Sequence, residues 1–258
     1  MKRLVITSVI VGIIAGLLVG GFYNLFQVPV MERAIALEEE RAASVTSDAA
    51  EEEEGGAEVS LGVQRIGMVL GTAIYGAIFG LFFAAGFVLL HRAAPGWSVV
   101  WVALTIGALG FWSLSLFPFI KYPLNPPGVG EEASLAARQL GQLLFMLISA
   151  AAVGVALDAI RRIQQNFADF AARRLWYGGV LGIYAILAIV MAFVFPGNPD
   201  PVPVPIDLLE LFRALTMSGQ FLMWVFLSAG VTLALLWHQR SESARAIGQT
   251  SAVPSPSG

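Results

Sequence analysis

Six long apolar stretches alternate with short polar ones along the chain: Leu4–Phe26, Ile66–Leu90, Trp97–Phe117, Leu140–Leu157, Leu175–Phe195 and Leu215–Trp237. At about 1.5 Å per helical residue, such runs cross a hydrocarbon core of about 30 Å. Lipid offers no hydrogen bonds, so each crossing segment must satisfy its own backbone, which selects helices. The pattern predicts an all-α integral membrane protein with six transmembrane helices within residues 1–238. Trp97, Trp101, Trp176 and Tyr177 stand near span starts, where amphipathic rings sit at the membrane interface. Gly12, Gly16 and Gly20 recur every four residues, and Gly67/Gly71 and Gly76/Gly80 form two GxxxG pairs. Such faces let helix backbones approach closely. A cleaved signal peptide competes for the first stretch, but the apolar run is long for one and no small-x-small site closes it.

Composition supports the same class. The chain is 57% hydrophobic and 13% charged, with mean hydropathy +0.75, whereas soluble domains carry about 25% charged residues. It has no cysteine, which excludes disulfides, thiolate metal sites and cysteine catalysis. No basic patch supports nucleic-acid binding. Lys2 and Lys121 are the only lysines, so there is no phosphate-binding GxxxxGK[ST] loop. His91 and His238 both lie at span ends, and no HExxH occurs. Catalysis and a permanently bound cofactor are therefore not expected. No span carries an ionisable side chain in its middle, unlike proton-coupled pumps. Its polar groups are neutral: Asn24, Thr72, Tyr75, Ser113, Ser115, Gln142, Ser149, Thr216, Ser218 and Gln220. They serve either as helix contacts or as the lining of a hydrated path, whose oxygens would suit a hard or borderline divalent cation.

The loops set the expected orientation. With the N-terminus inside, nine Lys and Arg fall on the inner side and six on the outer, and the short Asp158–Arg174 connection alone holds four arginines. The positive-inside rule then places both termini in the cytoplasm. The outer loop 27–65 holds ten acidic residues, including Glu51–Glu54. Met31–Ala43 is expected to continue the first helix, and Ser44–Gly62 to form a flexible linker; the loop is either a cation antechamber or simply solvated. On the inner side, Ile160, Ile163, Phe167 and Phe170 share one helical face. That segment either lies in the interface with its arginines near headgroups or extends the neighbouring spans. Residues 239–258 are small and polar and are expected to be a disordered cytoplasmic tail. Outward-going spans end in FQVP, FPF and FPG, a pattern compatible with three repeated hairpins.

The outer segment Phe117–Gly130, FPFIKYPLNPPGVG, packs four prolines and two glycines into fourteen residues. Proline lacks a backbone N–H and drives the preceding residue to extended geometry, so this segment is a stiff, irregular connector. Asn125, with Pro126 behind it, should present side-chain and backbone oxygens. Glu131 and Glu132 are the nearest carboxylates. These three are the candidate cation ligands, set against structural roles in which Tyr122 is a belt aromatic, Lys121 a snorkelling anchor and Glu131 a partner of the next helix's dipole.

KYPLNPPGVG at Lys121–Gly130, behind an FP at a span end and ahead of a span that begins with Arg138, resembles the hallmark of the CbtA family, the predicted cobalt transporter subunit CbtA. The resemblance implies a multi-pass subunit for cobalt uptake in the bacterial inner membrane, working with a small single-span, histidine-containing partner of the CbtB type. Its motif falls on Lys121, Tyr122, Pro123, Asn125, Pro126, Pro127, Gly128 and Gly130, with Arg138 beyond. A cobalt-selective site ordinarily wants imidazole, and none lies on the predicted outer side. The partner then supplies histidine, or the ion passes hydrated. Two readings follow: a divalent-cation uptake subunit, passive or energised by a partner, and a non-transporting assembly subunit of a larger membrane complex. The lipid-facing surface and glycine faces also admit a homo-oligomer.

Overall fold

The computed structural model describes residues 1–45, 61–126, 132–197 and 204–250, and all regular structure among them is helical. The helices are α1 (Lys2–Phe26), α2 (Val28–Val45), α3 (Leu61–Ala93), α4 (Val99–Gly110), α5 (Phe117–Lys121), α6 (Glu132–Asn166), α7 (Phe170–Val194) and α8 (Ile206–Thr250). A π-helical turn, Phe111–Leu116, joins α4 to α5. Six segments are long and apolar enough to cross a membrane: α1, α3, α4 through α5, α6, α7 and α8. The proline segment lies at one end of the bundle, here the proline end. The start of α1 and the later part of α8 lie at the other, where Arg3 pairs with Glu242 at 3.0 Å.

The tightest crossing is α1 against α3, and glycine makes it possible. Lipid tails are as apolar as side chains, so helices in a bilayer associate through close packing rather than hydrophobic expulsion. A Cβ on Gly12 would strike the carbonyl oxygen of Gly76, one on Gly16 that of Thr72, and one on Gly80 that of Ser8. The four-residue glycine series of α1 thus meets the Gly76/Gly80 pair backbone to backbone. Gly67 and Gly71 differ: a Cβ on either meets open space, so this pair packs against nothing described. α8 lies along the other side of α1 and α4, and the interior between them is filled by Phe79, Phe83, Val102, Met223 and Leu227, all buried.

α6 and α7 are peripheral. In α7 only Met191 is buried, while Leu181, Ile183, Ile186, Ile189 and Phe193 are exposed. Such a helix belongs in lipid or against another membrane chain.

Helix ends depart from the hydropathy windows. The stretch expected to be the shortest span, Leu140–Leu157, is the middle of the 35-residue α6. α8 runs on to Thr250, so Gln239–Thr250, expected in the tail, is helical, and residues 251–258 lie outside the described ones. The inner amphipathic segment extends its neighbours rather than forming a separate helix. α6 continues to Asn166, and Asp169 caps α7 by accepting from the Ala172 amide at 3.1 Å. Arg173 donates to the carbonyls of Phe167 (2.6 Å) and Gln164 (3.2 Å), satisfying oxygens orphaned where α6 ends. Beyond α1, the chain turns at Gln27 and forms α2, which packs Val30 and Ala34 on Leu208 and Phe212 of α8. Residues 46–60, most of the expected linker, lie outside the described ones.

Candidate functional site at the proline end

Pro118 shapes the entry to the site. Its ring cannot donate and crowds the preceding turn. The helix widens ahead of it, and the Phe117 amide donates to Trp112, five residues back. Such π turns concentrate at functional sites. Here the widened turn carries Ser113, Leu114 and Ser115 into the interior. Pro118 is itself fully buried.

After α5 the chain leaves helical geometry at Tyr122 (φ −124°, ψ 72°), as expected for a residue before proline. The Tyr122 ring packs edge-on to Phe145 at 5.9 Å. Gly141 leaves room for its hydroxyl: a Cβ there would lie 3.1 Å from that oxygen. The hydroxyl has no hydrogen-bond partner among the described residues, and burial pushes the phenol's pKa up, keeping it neutral. Lys121 crosses to α7, where its Nζ donates to the Ala192 carbonyl at 2.8 Å. A cation at a helix C-terminus meets both an orphan acceptor and the negative end of the dipole. Pro123 is half-buried and Pro126 fully buried.

Arg213, near the start of α8, ties the segment down. Its Nη2 donates to Asn125 Oδ1 at 2.8 Å, and its Nε reaches the Leu124 carbonyl at 3.4 Å. Of the two Asn125 oxygens that the sequence offers to a cation, the side-chain one is thus held by a guanidinium, which takes the Leu124 carbonyl rather than that of Asn125 as its second acceptor. Glu131, Pro127, Gly128 and Gly130 lie outside the described residues; Glu132 opens α6, but its side chain is not among those described. Arg138 is half-buried on α6. Among the described residues, no three His, Cys, Asp or Glu side chains come together.

A polar stripe runs inward from Arg213. Thr216, Gln220 and Trp224 follow at three- and four-residue spacing, which keeps them on one face of α8. Gln27 Nε2 donates to Thr216 Oγ1 at 2.8 Å, and the Tyr23 hydroxyl donates to the Thr216 carbonyl at 2.9 Å. One turn deeper, Ser115 Oγ donates to Gln220 Oε1 at 3.0 Å and accepts from Trp224 Nε1 at 3.0 Å. The Gln220 amide also interacts with the Tyr23 and Tyr75 hydroxyls. α1, α3, the π turn and α8 therefore each contribute neutral polar groups to one cluster.

Sequence reading found part of this cluster. Tyr75, Ser115, Thr216 and Gln220 are among the neutral polar groups of the predicted spans, and the structure brings them together. Ser218 instead turns back on its own helix, donating to the Ala214 carbonyl at 2.8 Å. Thr72 donates to the Met68 and Val69 carbonyls in the same way. Gln27, Trp224 and Arg213 also belong to the site, and the apolar pattern of the chain does not point to them. The signal was present in the spacing of Arg213, Thr216, Gln220 and Trp224, which a helical wheel of α8 puts in one row.

Freeing the proline segment from α8 tests this geometry. Losing a hydrogen bond to a charged donor costs about 1.5–3 kcal/mol. Arg213→Ala is expected to raise hydrogen exchange at the Leu124 and Asn125 amides roughly tenfold or more, with the rest of α8 unchanged. Unchanged exchange there would mean that other contacts hold the segment.

The fold defines a multi-span helical membrane protein with a cluster of neutral polar groups in its interior. Residues 1–238 match the family described as "Probable cobalt transporter subunit (CbtA)", and the chain belongs to that family. No curated protein and no solved structure matches it.

Proposed function

We propose that this chain is an inner-membrane subunit for uptake of a divalent cation, cobalt, with the proline end facing outward and both termini in the cytoplasm. The observation that carries the reading is the continuity between the proline segment and the polar stripe of α8. Arg213 holds Asn125 and Leu124, and on the same face of α8 it is followed by Thr216 and Gln220, the latter bonded to Ser115. Family membership supplies the cobalt.

In this reading Arg213 acts as a tethered stand-in for the cargo. Its guanidinium occupies oxygens that suit a hard or borderline divalent ion. An arriving cation competes for Asn125 Oδ1 and the Leu124 carbonyl and repels Arg213, and Glu131 and Glu132 follow in the sequence as candidate carboxylate ligands. Freed from Arg213, the segment opens onto the cluster. A bare dication in an apolar interior is prohibitively costly, so the ion passes with part of its water, replaced in turn by Tyr23, Ser115, Thr216 and Gln220 oxygens. No carboxylate or histidine marks a proton relay along the stripe. The subunit is therefore passive or energised by another chain, and a small single-span, histidine-containing partner of the CbtB type supplies imidazole.

A second reading, a non-transporting assembly subunit, is favoured by the exposure of α7 on nearly every side. Cobalt uptake into liposomes holding the purified chain, with and without the histidine-bearing partner, separates the two. Transport predicts uptake that saturates with cobalt and falls when Asn125→Ala is introduced. Background uptake in both preparations would favour assembly.

A further inference from the structure

A cleft of about 810 Å³ opens between α4 and α7 at the end of the bundle opposite the proline segment. Leu157 and Ile160 of α6 form its floor, and Leu109 of α4 and Val180 and Leu181 of α7 its walls. Toward the membrane centre it stops at a bar: Trp112 Nε1 donates to the Tyr184 hydroxyl at 2.7 Å, joining α7 to the π turn. At the opposite limit it is lined by Arg173, Gln164 and Tyr177. From Arg173 to Tyr184 along α7 is about 16 Å at 1.5 Å per residue, half of a hydrocarbon core of about 30 Å. The cleft therefore has the depth of one leaflet.

Its mouth is cationic. The α6–α7 connection Asp158–Arg174 carries four arginines against two aspartates. Both aspartates are engaged: Asp158 pairs with Arg161 and Arg162, and Asp169 caps α7. Arg173 is held in place by the Gln164 and Phe167 carbonyls, with Tyr177 one turn along the same face of α7. An apolar slot one leaflet deep beneath a fixed guanidinium has the chemistry of a phospholipid with an anionic headgroup. A membrane-spanning helix does not fit the length of this slot, because the Trp112–Tyr184 bar closes it halfway.

We propose that this cleft binds one anionic phospholipid of the surrounding bilayer. An acyl chain lies between α4 and α7 and ends against the Trp112–Tyr184 pair, and the phosphate meets Arg173 and Tyr177. The lipid fills the gap beside α7 and completes that helix's attachment to the bundle. This site is independent of the cation path at the other end.

The test uses the full-length protein, purified in mild detergent and delipidated, then titrated with phosphatidylglycerol or phosphatidylcholine of identical acyl chains. Bound lipid is read by native mass spectrometry and thermal stability. Phosphatidylglycerol is expected to bind about tenfold more tightly: both lipids offer Arg173 a phosphate, but phosphatidylcholine also carries a choline cation that the cationic mouth repels. Arg173→Gln removes that preference, while Arg240→Gln, a charge on α8 away from the cleft, keeps it. Ala156→Trp, which fills the cleft from α6, loses both lipids while the lipid-free melting temperature stays near wild type. Equal affinity of the wild type for the two lipids overturns the site. So does a loss of preference in Arg240→Gln equal to that in Arg173→Gln, or wild-type binding by Ala156→Trp. Should Arg173→Gln fail to fold, Ala156→Trp decides alone.

Discussion

Gly76→Leu is expected to yield no folded, monodisperse protein in detergent, whereas Gly71→Leu, five residues earlier on the same helix, behaves as wild type. At Gly76 even a Cβ would collide with the carbonyl of Gly12 and crowd Gly16. The obstacle is backbone on a facing helix and cannot rotate away. Overpacking a well-filled core costs about 1–3 kcal/mol, occasionally more, and separating two backbones along a whole crossing lies at the upper end. In lipid no hydrophobic expulsion compensates for the lost packing. At Gly71 an added side chain meets open space. Size-exclusion profiles and melting curves of the two variants check this directly. Equal behaviour would mean that α1 and α3 do not cross at these glycines.

Gln220→Leu is expected to leave a folded protein whose cobalt uptake falls at least about tenfold, the equivalent of losing one hydrogen bond to a charged group. Leucine nearly matches glutamine in volume, but it leaves the Ser115 hydroxyl without its acceptor and removes the amide that the Tyr23 and Tyr75 hydroxyls meet. Ser218→Ala is the control. That hydroxyl is two residues away and bonds only within its own helix, so its loss leaves uptake unchanged. Uptake is measured at equal amounts of membrane-inserted protein. Wild-type rates in Gln220→Leu would show that the cluster is structural, holding α1, α3 and α8 together without touching an ion.

Hydropathy made the six spans legible, because length and apolarity are what a bilayer demands of a helix. The α1 glycine series was legible for a related reason: small residues at four-residue spacing have few uses in lipid other than close packing. Helix ends were less so. Apolar windows stop where charge begins, yet α6 continues through Arg161 and Arg162, which Asp158 neutralises one turn back, and α8 continues past Trp237 to pair Glu242 with Arg3. The π turn is not legible in the sequence: a proline such as Pro118 ordinarily ends a helix and opens the irregular connector, but the widened turn ahead of it lets the chain stay helical through Lys121. The role of Arg213 is illegible for a different reason. Counted only as a loop charge that helps set orientation, it offers no hint that its partner lies 88 positions earlier in the chain. Long-range pairs of this kind depend on how the helices are arranged, which hydropathy does not encode.

The cation path depends on the proline segment standing at the outer mouth of the bundle. The chain has no cysteine, so single cysteines can be introduced without background. Leu124 is exposed at the proline end, and only its backbone carbonyl meets Arg213; Ser243 is exposed at the other end. In intact cells, a membrane-impermeant maleimide is expected to label Leu124→Cys at once and Ser243→Cys only after the membrane is opened. Labelling in the reverse order would put the segment inside the cell and contradict the proposed route of uptake.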